Sequence, residues 1–217
     1  MSYCHFKDLG IIDYQEAYLI QKRHVEDVLK GEPQTILLCE HSTVLTMGRM
    51  ARKDHILVSE DKILRQGIQI HWIDRGGDIT LHSPGQLVIY PILNLNFSRR
   101  DLHDYLRKLE EVAIDLLKRF GIVANRFSPA SSEAAKTGVW MGEKKIVSMG
   151  IGVRRWVTFH GLAINVNTDL KLFQWIKPCG LDVEMTSMAA IKGREVNLDD
   201  VKKTVKKSFE QVFGLEF

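Results

Sequence analysis

Cysteine is scarce in this chain, and its scarcity excludes two readings. Among 217 residues there are three, Cys4, Cys39 and Cys179. Three thiols build no even disulfide framework, which points to a reducing compartment. They form no C-x-x-C pair, and the eight histidines form no H-E-x-x-H, so no zinc spacing is legible. Long apolar runs are missing as well, since none reaches the ~18 residues that would span a membrane. Charge of one sign is not in excess: 30 basic against 27 acidic residues leave +3, too little to imply nucleic acid. The opening MSYCHFKDLG has neither a signal-peptide core nor an Arg-rich amphipathic leader, so a cytoplasmic location is expected. Repeats, low-complexity tracts and domain linkers do not occur. With 45% apolar residues, the expectation is a single domain with a substantial core over 1–217 and with no metal, no membrane and no nucleic acid.

What is present is a succession of helix and strand signals. Asp13 and Glu16 have capping-box spacing before a helix over 14–30, which Gly31 ends. TILLCEH (35–41) and VLTMG (44–48) read as strands, making Cys39 a packed core thiol and His41 a structural histidine. Ser59 caps a short helix through Arg65; IQIHWID (68–74) alternates as a strand; LVIYPILNL (87–95) suits a central one. Over 101–120, Leu102, Tyr105, Leu109, Val112, Leu116 and their neighbours make a core-facing stripe at helical spacing. IVANRF (122–127) reads as a strand, GVWMGEKKIVSM (138–149) as a hairpin turning at Gly142, and 198–213 as a last helix capped by Asn197. Lys202, Lys203, Lys206 and Lys207 fall on the outer side of that helix. The order is mixed, with a helix first and helices packed on one side of a sheet.

Chemistry concentrates between Lys145 and Gly180. Two strands, KIVSMGIGV (145–153) and WVTFHGLAINV (156–166), flank a turn containing Arg154 and Arg155. Small residues punctuate them, and glycine inside a strand marks a bulge or a close backbone approach, often to a ligand. Cys179, between Pro178 and Gly180, fits an exposed nucleophile and equally a structural turn. Arg75-Gly76-Gly77 lets the backbone turn sharply and approach a bound group, as it also would in a plain hairpin; it is not a P-loop. Lys144 and Lys145 are neighbours on one strand, so only one of them faces inward.

RGGDITLHSPGQL (75–87), KIVSMG (145–150), FHGLAINV (159–166) and PCG (178–180) together resemble the signature of the octanoyltransferases of lipoate biosynthesis, in the family's order and spacing. Ser83 departs from it, since glycine more often follows the histidine there. The resemblance implies the biotin/lipoate protein ligase-like fold: an α/β (α+β) domain with a mixed, largely antiparallel sheet packed with helices. It implies Cys179 as acyl carrier and Lys145 as its base, the K-I-x-x-x-G register choosing Lys145 over Lys144. Substrate-binding stretches carried over are Arg75, Gly76, Gly77, Asp78, Ile79, Thr80, Leu81 and His82; Ser148, Met149 and Gly150; and Gly161, Leu162 and Ala163. The implied donor is octanoyl-acyl carrier protein, and the implied acceptors are lipoyl domains of 2-oxoacid dehydrogenase E2 subunits and the glycine cleavage H protein. No cofactor is implied, because a thioester is already activated. An ATP-dependent lipoate or biotin ligase shares the fold, and a non-catalytic acyl- or carrier-binding protein is the other alternative. An acidic carrier would meet a basic face, expected at Arg49, Arg52, Lys53, Arg154 and Arg155.

Overall fold

The chain opens on a strand where the sequence pattern suggested a helix. In the computed structural model, which describes residues 3–97, 100–127, 137–178 and 183–217, β1 (Cys4–Ile12) lies parallel to the edge of a large sheet. Lys7, Asp8 and Gly10 break its apolar pattern, which hid it. They are tolerated because β1 is an edge strand, and an irregularity between Asp8 and Ile11 carries Gly10 at φ 65°.

Then come α1 (Tyr14–Leu29), β2 (Gln34–His41), β3 (Val44–Met47), α2 (Glu60–Arg65), β4 (Gln69–Trp72), β5 (Ile79–His82) and β6 (Gln86–Ile92). The second half holds α3 (Leu102–Arg119), β7 (Asn125–Arg126), β8 (Val139–Met141), β9 (Lys144–Arg154), β10 (Val157–Asn165), α4 (Met188–Lys192) and α5 (Leu198–Phe213). The helix starts fall where the capping residues stand. Asp13 accepts from the N–H of Gln15 and Glu16, Ser59 from Lys62, Asp101 from His103 and Asp104, and Asn197 from Asp200. Of 122–127, only Asn125–Arg126 pair as a strand. The β9–β10 turn sits one residue later than expected, with Arg155 and Trp156 both at positive φ, as a two-residue hairpin turn requires.

There are two sheets among the described residues. The large one has the order β1-β2-β6-β10-β9-β8-β7, antiparallel except for β1–β2; the small one has the order β4-β3-β5. Helices cover both faces of the large sheet, correcting the one-sided expectation. Ile36, Leu38, Leu87 and Ile89 face Leu109, Val112, Leu116, Val201, Val205 and Phe209 of α3 and α5. The intervening Leu37, Cys39, Val88 and Tyr90 face Ala17, Val25 and Val28 of α1. That period of two on β2 and β6 is what a strand buried on both faces provides. Leu45, Met47, Ile79 and Leu81 form a third cluster with Ile63, Phe173 and Met185. Lys202 of α5 is not on a free outer face: it is mostly buried and pairs with Asp8 at 2.9 Å.

One local distortion reshapes the middle of the large sheet. Pro91 lies within central strand β6 and has no N–H to give β10. Thr158 replaces part of the ladder: its hydroxyl donates to the Pro91 carbonyl at 2.7 Å and accepts from the Leu93 N–H at 3.0 Å. Just beyond, His160 takes φ 55° and its N–H turns to Gln21 Oε1 on α1, at 2.8 Å. Gly161 then passes so close to Ile89 and Pro91 that a Cβ there would strike the Ile89 carbonyl oxygen. Replacing Gly161 by alanine should therefore cost about 1–3 kcal/mol, the scale of overpacking in a closed site. Urea denaturation checks this; an unchanged midpoint would show that the two strands separate freely.

Candidate functional site

The two sheets meet through bare backbone. The loop 75–78 lies between the end of β3 and the middle of β9. Gly48 N–H donates to Asp78 O, Arg49 N–H to Arg75 O and Met50 N–H to Gly77 O, while Gly76 N–H donates to Ile151 O at 2.8 Å. A Cβ on Gly48 would collide with the Gly77 carbonyl oxygen, and one on Gly150 would come within 2.8 Å of the Gly76 oxygen. Glycine is required on both strands because no side chain fits between these chains. The Arg75 guanidinium is buried and donates to Thr46 O and Thr46 Oγ1 at 2.8 and 3.0 Å, bracing the loop against β3. His55 lies beneath Asp78, its Nδ1 2.7 Å from the carboxylate.

This junction encloses a narrow cavity of about 40 Å³. Arg75, Gly77, Asp78, Thr80 and His82 line one side, and Ser148, Met149, Gly150, Gly161, Leu162 and Ala163 the other. Gly76, Ile79 and Leu81, expected with them, are not in the lining. On β5 alternate residues face apart, so Thr80 and His82 meet the cavity while Ile79 and Leu81 enter the small-sheet core. Tyr14, Val88, Tyr90 and His160 complete the wall. Sequence reasoning missed these four, although His160 stands inside a quoted motif and Tyr14 is the first residue of a well-capped helix.

The wall is mostly apolar but carries unspent polar atoms. The hydroxyls of Tyr14, Thr80 and Ser148 are buried without a hydrogen-bond partner among the described residues. Such groups are costly unless something in the cavity satisfies them. His160 Nε2 is 3.1 Å from Asp74 Oδ1, and Asp74 also accepts from Tyr18 Oη at 3.0 Å and Lys22 Nζ at 2.8 Å. Burial would raise the Asp74 pKa, but the hydrogen bonds from His160, Lys22 and Tyr18 outweigh it and pull the carboxyl well below its usual range. His41 is the structural histidine expected, its Nδ1 2.9 Å from Ile12 O and its Nε2 2.8 Å from Tyr90 Oη. Cys39 is fully buried, and burial pushes its thiol far up.

Lys145 is buried at the start of β9, whereas Lys144 is exposed and pairs with Glu184 at 2.6 Å. The strand reaches this arrangement through a bulge. The β8–β9 register shifts between Val139 and Trp140, and consecutive residues Ile146 and Val147 both join the α3/α5 core. By register Lys145 then falls on the side of Ser148 and Gly150. Re-aiming a side chain in this way is a recurrent use of bulges beside sites. Lys145 Nζ lies 5.3 Å from the centroid of the Trp140 ring. Gly138 closes the space beside it: a Cβ there would lie 2.6 Å from Lys145 Cε. Gly138 is itself held by buried Glu110, whose Oε1 accepts its N–H at 3.0 Å while Arg107 and Arg126 satisfy Oε2. The Lys145 backbone pairs with the chain that comes after the Pro-Cys-Gly stretch: its N–H donates to Glu184 O at 2.8 Å, and its carbonyl accepts from Thr186 N–H at 2.9 Å. Cys179 lies outside the described residues.

The expected basic face is largely neutralised. Arg52 forks onto Asp54 at 3.0 and 2.7 Å, Lys53 lies 3.6 Å from Glu60, and Arg154 is 2.5 Å from Glu26. Arg49 and Arg155 have no acidic partner among the described residues.

Known proteins resemble this chain in sequence and in fold. Residues 13–210 match the family model of the lipoyl protein ligase A/B catalytic domain. The chain belongs to that family. It is 43% identical over 217 residues to an octanoyltransferase of Solibacter usitatus, covering 100% of this chain and 96% of that one. An octanoyltransferase of Caldicellulosiruptor bescii is 46% identical over 209 residues, covering 95% and 90%. Among solved structures, a lipoate-protein ligase A bound with ATP superposes with a TM-score of 0.82 at 18% identity, covering 100% of this chain and 87% of that one. That likeness establishes the lipoate ligase fold anticipated from the motifs.

The buried histidines make stability depend on pH. Burial holds His41, His82 and His160 below the ordinary imidazole value, with His82 lowered to about 3. In the unfolded chain each titrates near ~6.5, so below that pH the unfolded state binds more protons and stability falls as pH drops. Stability is complete above ~6.5 and, for His82, declines all the way to about 3. Asp74 adds no slope between pH 7.5 and 5, because its carboxyl is ionised in both states there; its stabilisation is complete in that range and is lost only below ~3.9. The urea midpoint should be clearly lower near pH 5 than near pH 7.5. A flat profile would contradict the neutral, buried histidines.

Proposed function

We propose that this protein transfers an octanoyl group from an acyl carrier protein thioester to Cys179, and from Cys179 to a lysine amine of a lipoyl domain. The observation that carries this reading is the buried Lys145, re-aimed by a bulge onto the side of the cavity-lining Ser148 and Gly150. The octanoyltransferase names of relatives matching almost the whole chain support the same reading. E2 lipoyl domains and the glycine cleavage H protein are the acceptors it implies, in a cytoplasmic setting where Cys4 and Cys39 stay as buried free thiols.

The chemistry follows from thiol exchange. A free thiol titrates near ~8.5 and is mostly protonated at neutral pH, so it needs a base or a cation beside it. Lys145 takes the Cys179 proton as sulfur attacks the thioester carbonyl. A C–S bond forms, the carrier C–S bond breaks, and the proton passes to the departing carrier thiolate. In the second half the neutral amine attacks the new thioester, a C–N bond forms, and the Cys179 thiolate leaves and regains a proton from the amine nitrogen. The apolar cavity, with Val88, Met149, Leu162 and Ala163 in its wall, suits the alkyl tail.

Intact-mass measurement after mixing with octanoyl-carrier protein should show one octanoyl group, mapped to Cys179, with no AMP formed on transfer. Labelling at Cys4 or Cys39, or AMP release on adding ATP and free octanoate, would overturn the proposal, the latter in favour of a ligase. A second test separates the two lysines. Lys145→Ala should leave Cys179 alkylating slowly at neutral pH, with its profile moved toward the ~8.5 of a free thiol. Lys144→Ala should change it little. Equal effects would remove Lys145 from the role.

A further inference from the structure

We propose that Gln86 and Asn165 are positioning residues for His82, holding its ring as the Nδ1–H tautomer so that Nε2 stands in the cavity as hydrogen-bond acceptor for an N–H of the amine that takes the acyl group. This rests on the two-step transfer through Cys179.

The direction of the chain of hydrogen bonds is set by its end. Thr186 O is a backbone carbonyl and only accepts, so Asn165 must present Nδ2 to it, at 3.0 Å. Asn165 Oδ1 then faces Gln86, its register partner across β6–β10, and accepts from Gln86 Nε2 at 2.9 Å. Gln86 Nε2 also donates to Leu81 O at 3.2 Å, another obligate acceptor. Both amide orientations are thereby decided, and Gln86 Oε1 is left to face His82 Nδ1 at 2.7 Å. An oxygen accepts there, so Nδ1 carries the proton. His82 is buried, stacks on Tyr14 with ring centroids 6.2 Å apart, and is neutral, so Nε2 is a bare lone pair. It has no partner among the described residues, and His82 lines the cavity.

This arrangement excludes a donor role for His82. A neutral ring protonated at Nδ1 cannot stabilise an oxyanion from Nε2; it can only accept. Among the reacting groups, the attacking amine is the one that brings N–H. Accepting from one of them turns the nitrogen lone pair toward the thioester carbon. That hydrogen stays on the product amide nitrogen, while the other leaves with the thiolate, so His82 needs no net proton. The chain also begins where the site is built, because Thr186 N–H is bonded to Lys145 O. One buried line thus joins the backbone of the proposed base to the ring that would orient the acceptor. The titratable groups that face His82 are His41, His160, Arg75 and, stacked on its ring, Tyr14.

The test uses the full-length protein in two single-turnover steps, acylation by octanoyl-carrier protein and transfer to a lipoyl domain. Gln86→Leu should slow transfer about tenfold more than acylation, the scale of one lost orienting hydrogen bond. Gln86→Glu still accepts from Nδ1–H but loses the donor to Leu81 O and Asn165 Oδ1, so it should recover part of the transfer rate. It should also add an acidic inflection to that step alone, since a carboxylate beside the ring favours the imidazolium, whose Nε2 no longer accepts. Nitrogen NMR of the wild-type imidazole reads the tautomer without any variant and should show Nδ1 protonated and Nε2 bare. An Nε2–H ring, or equal slowing of both steps in Gln86→Leu, would overturn the proposal. If no acyl-enzyme forms at all, the thioester reading fails, and the wild-type ring spectrum still decides the tautomer.

Discussion

Everything in this structure that resembles a site depends on one backbone-to-backbone contact. The loop 75–78 is hydrogen-bonded on one side to Gly48, Arg49 and Met50 and on the other to Ile151, with no room for side chains at Gly48 or Gly150. Bringing main chains this close satisfies their polar groups without water and joins two separately cored sheets. The cavity is the space left beside that junction, bounded by Thr80 and His82 from the small sheet and by Ser148, Gly150 and Gly161 from the large one. Arg75 serves the same contact, since its guanidinium reaches back to Thr46.

The second constraint is a charge-bearing side chain in the interior. Lysine is rarely buried, and a buried one needs a designed surround. Here the surround is the face of Trp140, the bare backbone of Gly138 and, through Gly138, the Glu110 carboxylate with its two arginines. Helix α3 therefore does more than fill the core: its one buried carboxylate fixes the glycine that abuts Lys145. The strained His160 is a parallel case. Its positive φ follows from Pro91 in the neighbouring strand, and it places the ring between Tyr18 and the cavity with Asp74 as partner.

Much of this was legible in the sequence because local signals agree with the fold. The caps Asp13, Ser59 and Asn197 placed three helix starts, the apolar stripe over 101–120 placed a fourth helix, and the turn at Gly142 placed the hairpin carrying Lys145. The two-sided burial of the large sheet was not legible, although the unbroken apolar runs at 36–39 and 87–93 carry its signal in retrospect: strands covered on one face only would alternate. β1 was hidden by charged residues that an edge strand tolerates. In the site, motif similarity carried Ile79 and Leu81 along with Thr80 and His82, where strand alternation alone would have separated them. Tyr14 and Tyr90 come from elements far apart in the chain, and only tertiary packing brings them to the cavity. The orientation of Gln86 and Asn165 is likewise a property of pairing between β6 and β10. On the expected basic face, the ion pairs of Arg52, Lys53 and Arg154 were not legible either, because Asp54, Glu60 and Glu26 are near in space and Glu26 is far from Arg154 in sequence.

The place proposed for the acyl chain is the cavity between the two sheets, and a crystal structure of the octanoylated protein tests that most directly. The alkyl tail is expected among Val88, Met149, Gly161, Leu162 and Ala163, with Thr80 and Ser148 beside it. Density for the tail instead in the groove formed by Leu57, Leu170, Phe173, Ile176 and Met185 would contradict it.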